Sequence, residues 1–131
     1  MAAFSNYMED AITAWINGTA FPTPAPTATF VQLYSQDPTD AGSSTGALFT
    51  RVSYASGGWT RGTGGAGTLS NTNVITITSS AGSAVTASHF AVFDASTSGN
   101  LLFYGALSAS KSIAIGDEVK FNALQLTLTV A

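Results

Sequence analysis

The stretch from His89 to Leu107 constrains the fold most. It reads His89-Phe90-Ala91-Val92-Phe93-Asp94, then Ala95-Ser96-Thr97-Ser98-Gly99, then Asn100-Leu101-Leu102-Phe103-Tyr104-Gly105-Ala106-Leu107. Two apolar runs parted by small turn residues are the pattern of a β-hairpin with a longish loop. In the first run His89, Ala91 and Phe93 share one face, while Phe90 and Val92 point the other way. Both faces are apolar, so this strand is expected to be covered on both sides. The block holds a lone His and scattered Asp, with no partner set for chemistry. It describes a packed β-scaffold, whose function lies in what it binds.

Composition narrows the partners. Only 8% of residues are charged, against about 25% in an ordinary soluble domain. The cations number four, Arg51, Arg61, Lys111 and Lys120, and the formal net charge is −3. Nucleic-acid recognition needs a basic stripe, and none is present. Ser and Thr, about a quarter of the chain, carry its polarity instead. Interface cores are depleted in charge, so the composition fits either an uncharged Ser/Thr-rich surface or a surface covered by neighbours. Cysteine is absent, which excludes disulfide staples and thiolate-built metal centres. The first 20 residues carry Glu9 and Asp10 and no Lys or Arg, unlike a signal peptide. No apolar run approaches the roughly 20 residues of a membrane span.

One helix is expected near the N-terminus. Phe4, Tyr7, Met8, Ala11, Ile12, Trp15 and Ile16 fall at i, i+3, i+4, i+7 spacing. Ser5 or Asn6 can cap its start, and Gly18 after Asn17 can close it. The stripe reads first as a core-packing face, with docking on a partner subunit as the alternative. Three prolines then make Phe21 to Pro26 an extended linker. Everything afterwards reads as β, with strands expected near Thr29–Ser35, Leu48–Tyr54, Val74–Thr78, Val85–Asp94, Leu101–Leu107 and Glu118–Val130. Short extra strands fit near Trp59 and near Ser112–Ile115, and Asp37–Gly46 reads as a surface loop. The expected fold is mostly β: a single β-sandwich, or flattened barrel, with one N-terminal amphipathic helix. One domain covers 1–131, with the helix in 1–20, the linker in 21–28 and the sandwich in 29–131.

The last strand carries a phase break. Val119, Phe121 and Ala123 are odd-numbered, whereas Leu124, Leu126, Leu128 and Val130 are even. Strand side chains alternate with a period of 2, so one face cannot hold both sets. Either a β-bulge near Ala123–Leu124 restores the register, or the strand leaves one sheet there and joins another.

Motifs that could carry chemistry read better as structure. Gly62-Thr63-Gly64-Gly65-Ala66-Gly67 matches G-x-G-x-x-G by letter, but a β-run follows it and the next acid is Asp94. Dinucleotide binding needs a helix N-terminus there. His89 lacks a nucleophile and an orienting acid. Asp37, Asp40 and Asp117-Glu118 sit in turn sequences, where carboxylates cap backbone groups. No catalytic, metal or cofactor residues are assigned. Tyr54 and Trp59, the latter next to Gly57-Gly58, are the candidate partner contacts, because loop aromatics anchor interfaces; burial in the core is the equal alternative.

The His-Phe-x-x-Phe-Asp run, Gly99-Asn100-Leu101-Leu102-x-Tyr104-Gly105-x-Leu107, Ser110-Lys111 and Gly116-Asp117 together resemble a family of small tailed-phage virion proteins. Members are labelled phage tail fibre protein, and some resemble capsid cement, or decoration, proteins. Phe4 to Glu9 through Trp15, Gly18-Thr19-x-Phe21, Phe30 to Tyr34, Asp37 to Gly42 and Leu69 to Thr72 carry the resemblance along nearly the whole chain. Leu48 to Gly67 fits it least. The resemblance implies a non-enzymatic virion structural protein without cofactors. It favours a capsid cement protein on the capsid exterior, a homotrimer that bridges major capsid protein subunits, with no nucleic-acid or membrane partner. The alternative is a tail-fibre or baseplate component in host adsorption, with a host glycan as ligand.

Overall fold

The computed structural model describes residues 2–22, 24–55 and 57–130. Its elements run β1 (Ala3–Phe4), α1 (Asn6–Ile16), β2 (Ala28–Tyr34), β3 (Ala47–Ala55), β4 (Trp59–Arg61), β5 (Thr68–Asn71), β6 (Ile75–Thr78), β7 (Val85–Phe93), β8 (Leu101–Ile113), β9 (Glu118–Phe121) and β10 (Thr127–Thr129). The fold is mostly β with one helix near the N-terminus, as the periodicity predicts. Its sheets do not close into a barrel.

Three antiparallel sheets share one core. The largest has the order β1-β8-β7-β2-β3, and the others are β10-β5-β4 and β6-β9. Alternation sorts the side chains. Val31, Leu33, Phe90 and Val92 from the large sheet meet Ile75, Ile77, Val119, Phe121 and Leu128 from the smaller two. The opposite parity, Tyr34, Ala91 and Phe93, forms a second cluster with Leu101 behind the large sheet. Thus β7 is covered on both faces from Phe90 to Phe93, as its two apolar faces require. Gly105 is fixed by a close approach: a Cβ there would stand 2.7 Å from the Ala2 backbone.

The helix is capped as its sequence implies. Ser5 accepts a hydrogen bond from the Met8 N–H at 3.3 Å, and its own hydroxyl donates to the Leu101 carbonyl. At the other end Gly18 takes φ +86°. Gly18 N–H donates to Trp15 O at 3.0 Å and Thr19 N–H to Ala14 O at 2.9 Å, a Schellman closure. The burial of the stripe differs from expectation. α1 packs on β1 and β8, and within it only Ala11 is fully buried. Trp15 and Ile16 are 61% and 72% exposed. The apolar stripe outruns the sheet it packs against, so its last turn overhangs into solvent.

Strand positions agree with the sequence except in four places. β5 lies in a run, Thr68–Asn71, to which the sequence assigns no strand, and β1 is a two-residue pairing without periodicity. The segment near Ser112 is the end of a long β8, not a separate strand. The predicted Glu118–Val130 strand divides into β9 and β10, which belong to different sheets. The phase break is therefore a change of sheet. Leu124, at φ +67°, sits in the turn between them, exposed.

Asn71 holds that turn. It is fully buried (0% exposed). Its Nδ2 donates to Asn73 O and Asn122 O, each at 2.9 Å, and its Oδ1 accepts from Leu126 N–H at 2.9 Å. Its backbone donates to Leu126 O at 3.2 Å and accepts from Leu124 N–H at 2.8 Å. One side chain thus satisfies buried groups on both sides of the sheet change. Asn71→Ala strands them, and about 3 kcal/mol of stability or more is expected to be lost. Urea unfolding of the two proteins measures it. Trp15→Ala, by contrast, is expected to change stability by less than about 0.5 kcal/mol, since the ring packs on little. A thermal melt of the dilute protein checks this.

Candidate functional site

A cleft of about 820 Å³ lies between the first turns of α1, the Pro-rich linker and the sheets. Phe4, Tyr7 and Met8 form one wall. Phe21, Pro24, Ala25, Pro26 and Thr27 form the facing one, and Trp59, Leu69, Phe103 and Leu128 form the floor. The floor belongs to the main core or packs on it, so the cleft is an uncovered end of that core. The linker makes no backbone hydrogen bond within 20–27 among the described residues. Proline supplies no N–H, so this strap is held by its two ends, the helix cap and β2.

Trp59 sets the floor. Its ring stands edge-to-face with Tyr54 (centroids 5.2 Å, 78°) and with Phe103 (5.4 Å, 76°), and Phe103 continues the series to Phe90 at 6.2 Å. Trp59 Nε1 donates to Thr29 Oγ1 at 2.9 Å, and Thr29 Oγ1 donates to Tyr54 O at 2.8 Å. Tyr54 OH donates to Gly58 O at 2.6 Å and accepts from Asn73 N–H at 2.9 Å. The two candidate contact residues therefore separate. Trp59 lines the cleft, whereas Tyr54 stands behind it and fixes the β3–β4 turn. The sequence reading treated Phe4, Tyr7 and Met8 as core and Phe21–Pro26 as linker, and so missed both walls. Phe21, an aromatic alone among prolines with no periodic partner, was the available signal.

The remaining sequence candidates are structural. Gly62–Gly67 turns the β4–β5 hairpin, with Gly62 N–H donating to Thr68 O at 2.9 Å, and a strand follows it. His89 is half-buried, its Nδ1 2.8 Å from Ser88 Oγ. Asp37 accepts from Thr39 N–H at 2.8 Å and Asp117 from Ala114 N–H at 3.1 Å, the turn capping expected of them. No group of His, Asp or Glu among the described residues is placed to hold a metal ion. Asp94, the one carboxylate lining the cleft, is occupied by Asn100, whose N–H and Nδ2 donate at 2.7 and 2.8 Å. Glycoside hydrolysis needs two carboxylates across a cleft.

Arg51 ties the β7–β8 loop to the sheet. Its Nε donates to Gln32 Oε1 at 3.1 Å, and its Nη1 donates to Ala95 O at 2.8 Å and to Ser98 O at 2.7 Å. The guanidinium carbon lies 3.5 Å from the centre of the Phe93 ring. Burial pulls its pKa down from the ordinary arginine value, while Tyr34 and Asp94 oppose the shift. Burial raises the Tyr34 hydroxyl, and Arg51 lowers it in turn. Tyr104 is raised by burial and then by the nearby Asp40, Asp37 and Glu9. Arg51→Lys keeps the charge but loses the planar fork. A loss of about 1–2 kcal/mol is expected, read from denaturant midpoints.

Comparison with known proteins agrees with the resemblance. The chain matches no curated protein. The family model described as podophage GP4 fiber I protein gp80 matches residues 3–129, from β1 to the end of β10 and so across α1 and all three sheets. This chain therefore belongs to the podophage GP4 fiber I protein gp80 family, a family of structural proteins of the phage virion.

Proposed function

We propose that this chain is a non-enzymatic module on the tail side of the virion, a fibre component that works by docking to neighbouring subunits. The observation that carries this reading is the family match, which spans the β domain from end to end and describes a fibre protein. The cleft supports a protein partner over a sugar. A glycan needs donors and acceptors for its hydroxyls. The cleft is lined mainly by aromatic, aliphatic and proline side chains, and its carboxylate is already bonded to Asn100.

A second reading keeps the capsid cement role, with a homotrimer bound to the major capsid protein on the shell exterior. The scarcity of charge favours it, since a surface covered by neighbours loses its charged residues. A ligand that binds only the assembled shell would stabilise it by mass action.

Copy number separates the two. Gel densitometry of purified virions, before and after tail removal, is expected to give a few copies that leave with the tails. Hundreds of copies retained on tail-less heads would replace the fibre reading with cement.

A further inference from the structure

Two apolar features are unmatched within the chain. The first is a knob: Trp15 and Ile16 stand together on the last turn of α1, mostly exposed. The second is the cleft, whose floor of Trp59, Phe103 and Leu128 opens onto the main core. An aromatic side chain entering a water-excluding pocket is the commonest anchor of a protein contact. The cleft volume lies in the range of pockets that enclose whole ligands.

Charge indicates the occupant. α1 carries Glu9 and Asp10 and no basic residue. The helix dipole adds partial negative charge at the end where Trp15 and Ile16 lie. The cleft is lined by one cation, Arg61, which is exposed and joins no ion pair among the described residues, and by Asp94, whose carboxylate is bonded to Asn100 and lies near Arg51. A helix C-terminus entering this cleft meets a cation without a partner of its own. The knob and the cleft thus complement each other in polarity, and the unpaired Arg61 complements the helix end in charge.

We infer that the Trp15–Ile16 knob of one copy seats in the cleft of a second copy, with Arg61 facing the C-terminal carbonyls of the incoming α1. The contact is heterologous, because knob and cleft are different patches. Each copy gives one and receives one, so association either closes into a ring or runs on as a filament. The inference deepens the virion-module reading by naming a partner. It is read on purified protein, so its failure leaves the position in the virion untouched.

A mixing experiment tests it. Sedimentation of the wild-type protein is expected to show mass rising with concentration beyond a dimer. Trp15→Ala removes the knob, and Thr27→Trp fills the cleft from an exposed position on its wall. Each variant alone should associate about tenfold more weakly or worse, while far-UV circular dichroism and melting show both folded. Mixed one to one, they should form dimers and stop there, because one supplies an open cleft and the other an intact knob. Arg61→Glu should weaken wild-type association, and Arg61→Lys should retain it. A wild-type protein that stays monomeric up to about 1 mM overturns the inference and assigns the knob to a different virion subunit. Association unchanged by Trp15→Ala, or folded variants that fail to pair when mixed, overturns it as well.

Discussion

The buried side chain of Asn71 is what the arrangement of sheets depends on. The chain must leave the β6-β9 sheet after Phe121 and join β5 at Thr127, and that crossing exposes backbone groups inside the molecule. A buried amide or carbonyl without a partner is costly. Asn71 supplies one acceptor and two donors at the crossing and adds its own backbone pair. An apolar residue there would leave the turn unsatisfied, and an aspartate would bring an acceptor where Nδ2 must donate. With the crossing held, Val119 and Phe121 on β9, Leu126 just before β10 and Leu128 on β10 all reach the same core.

Similar economy appears at the other ends of the sandwich. Charged groups are few, and several partly buried polar side chains link segments that are distant in sequence. Arg51 binds two loop carbonyls and Gln32 while lying on Phe93. Thr29 links the Trp59 indole to the Tyr54 carbonyl. Ser5 caps α1 and also ties it to β8. Among the described residues no buried side-chain polar atom lacks a partner. Such a chain can carry very little charge and still specify one register. Its polar groups act at junctions, and the core is left to apolar alternation.

This economy bears on function. The rigid part is the β-scaffold. The parts left open are the overhanging end of α1, the Pro-rich strap and the cleft between strap and helix. Among the described residues these parts are built mainly from apolar side chains. Exposed apolar side chains and an apolar cleft are the features that protein–protein contacts use.

The sequence by itself determined the class of fold, the helix with its caps, most strands and the phase break in the last strand. These features follow from local rules: side-chain period, backbone conformational preference and the donors left over at a helix end. The motif Leu69-Ser70-Asn71-Thr72 was visible as part of the family resemblance, but its role was not, because its partners lie some 50 residues away. Only the tertiary structure decided which half of the helix stripe is buried. Periodicity tells which residues share a face, but not how far the opposing sheet extends beneath them. It also decided the fates of Tyr54 and Trp59, neighbours in sequence with the same chemistry. Trp59 became part of the floor of the cleft and Tyr54 a brace behind it, because burial is set by what the rest of the chain places around each ring.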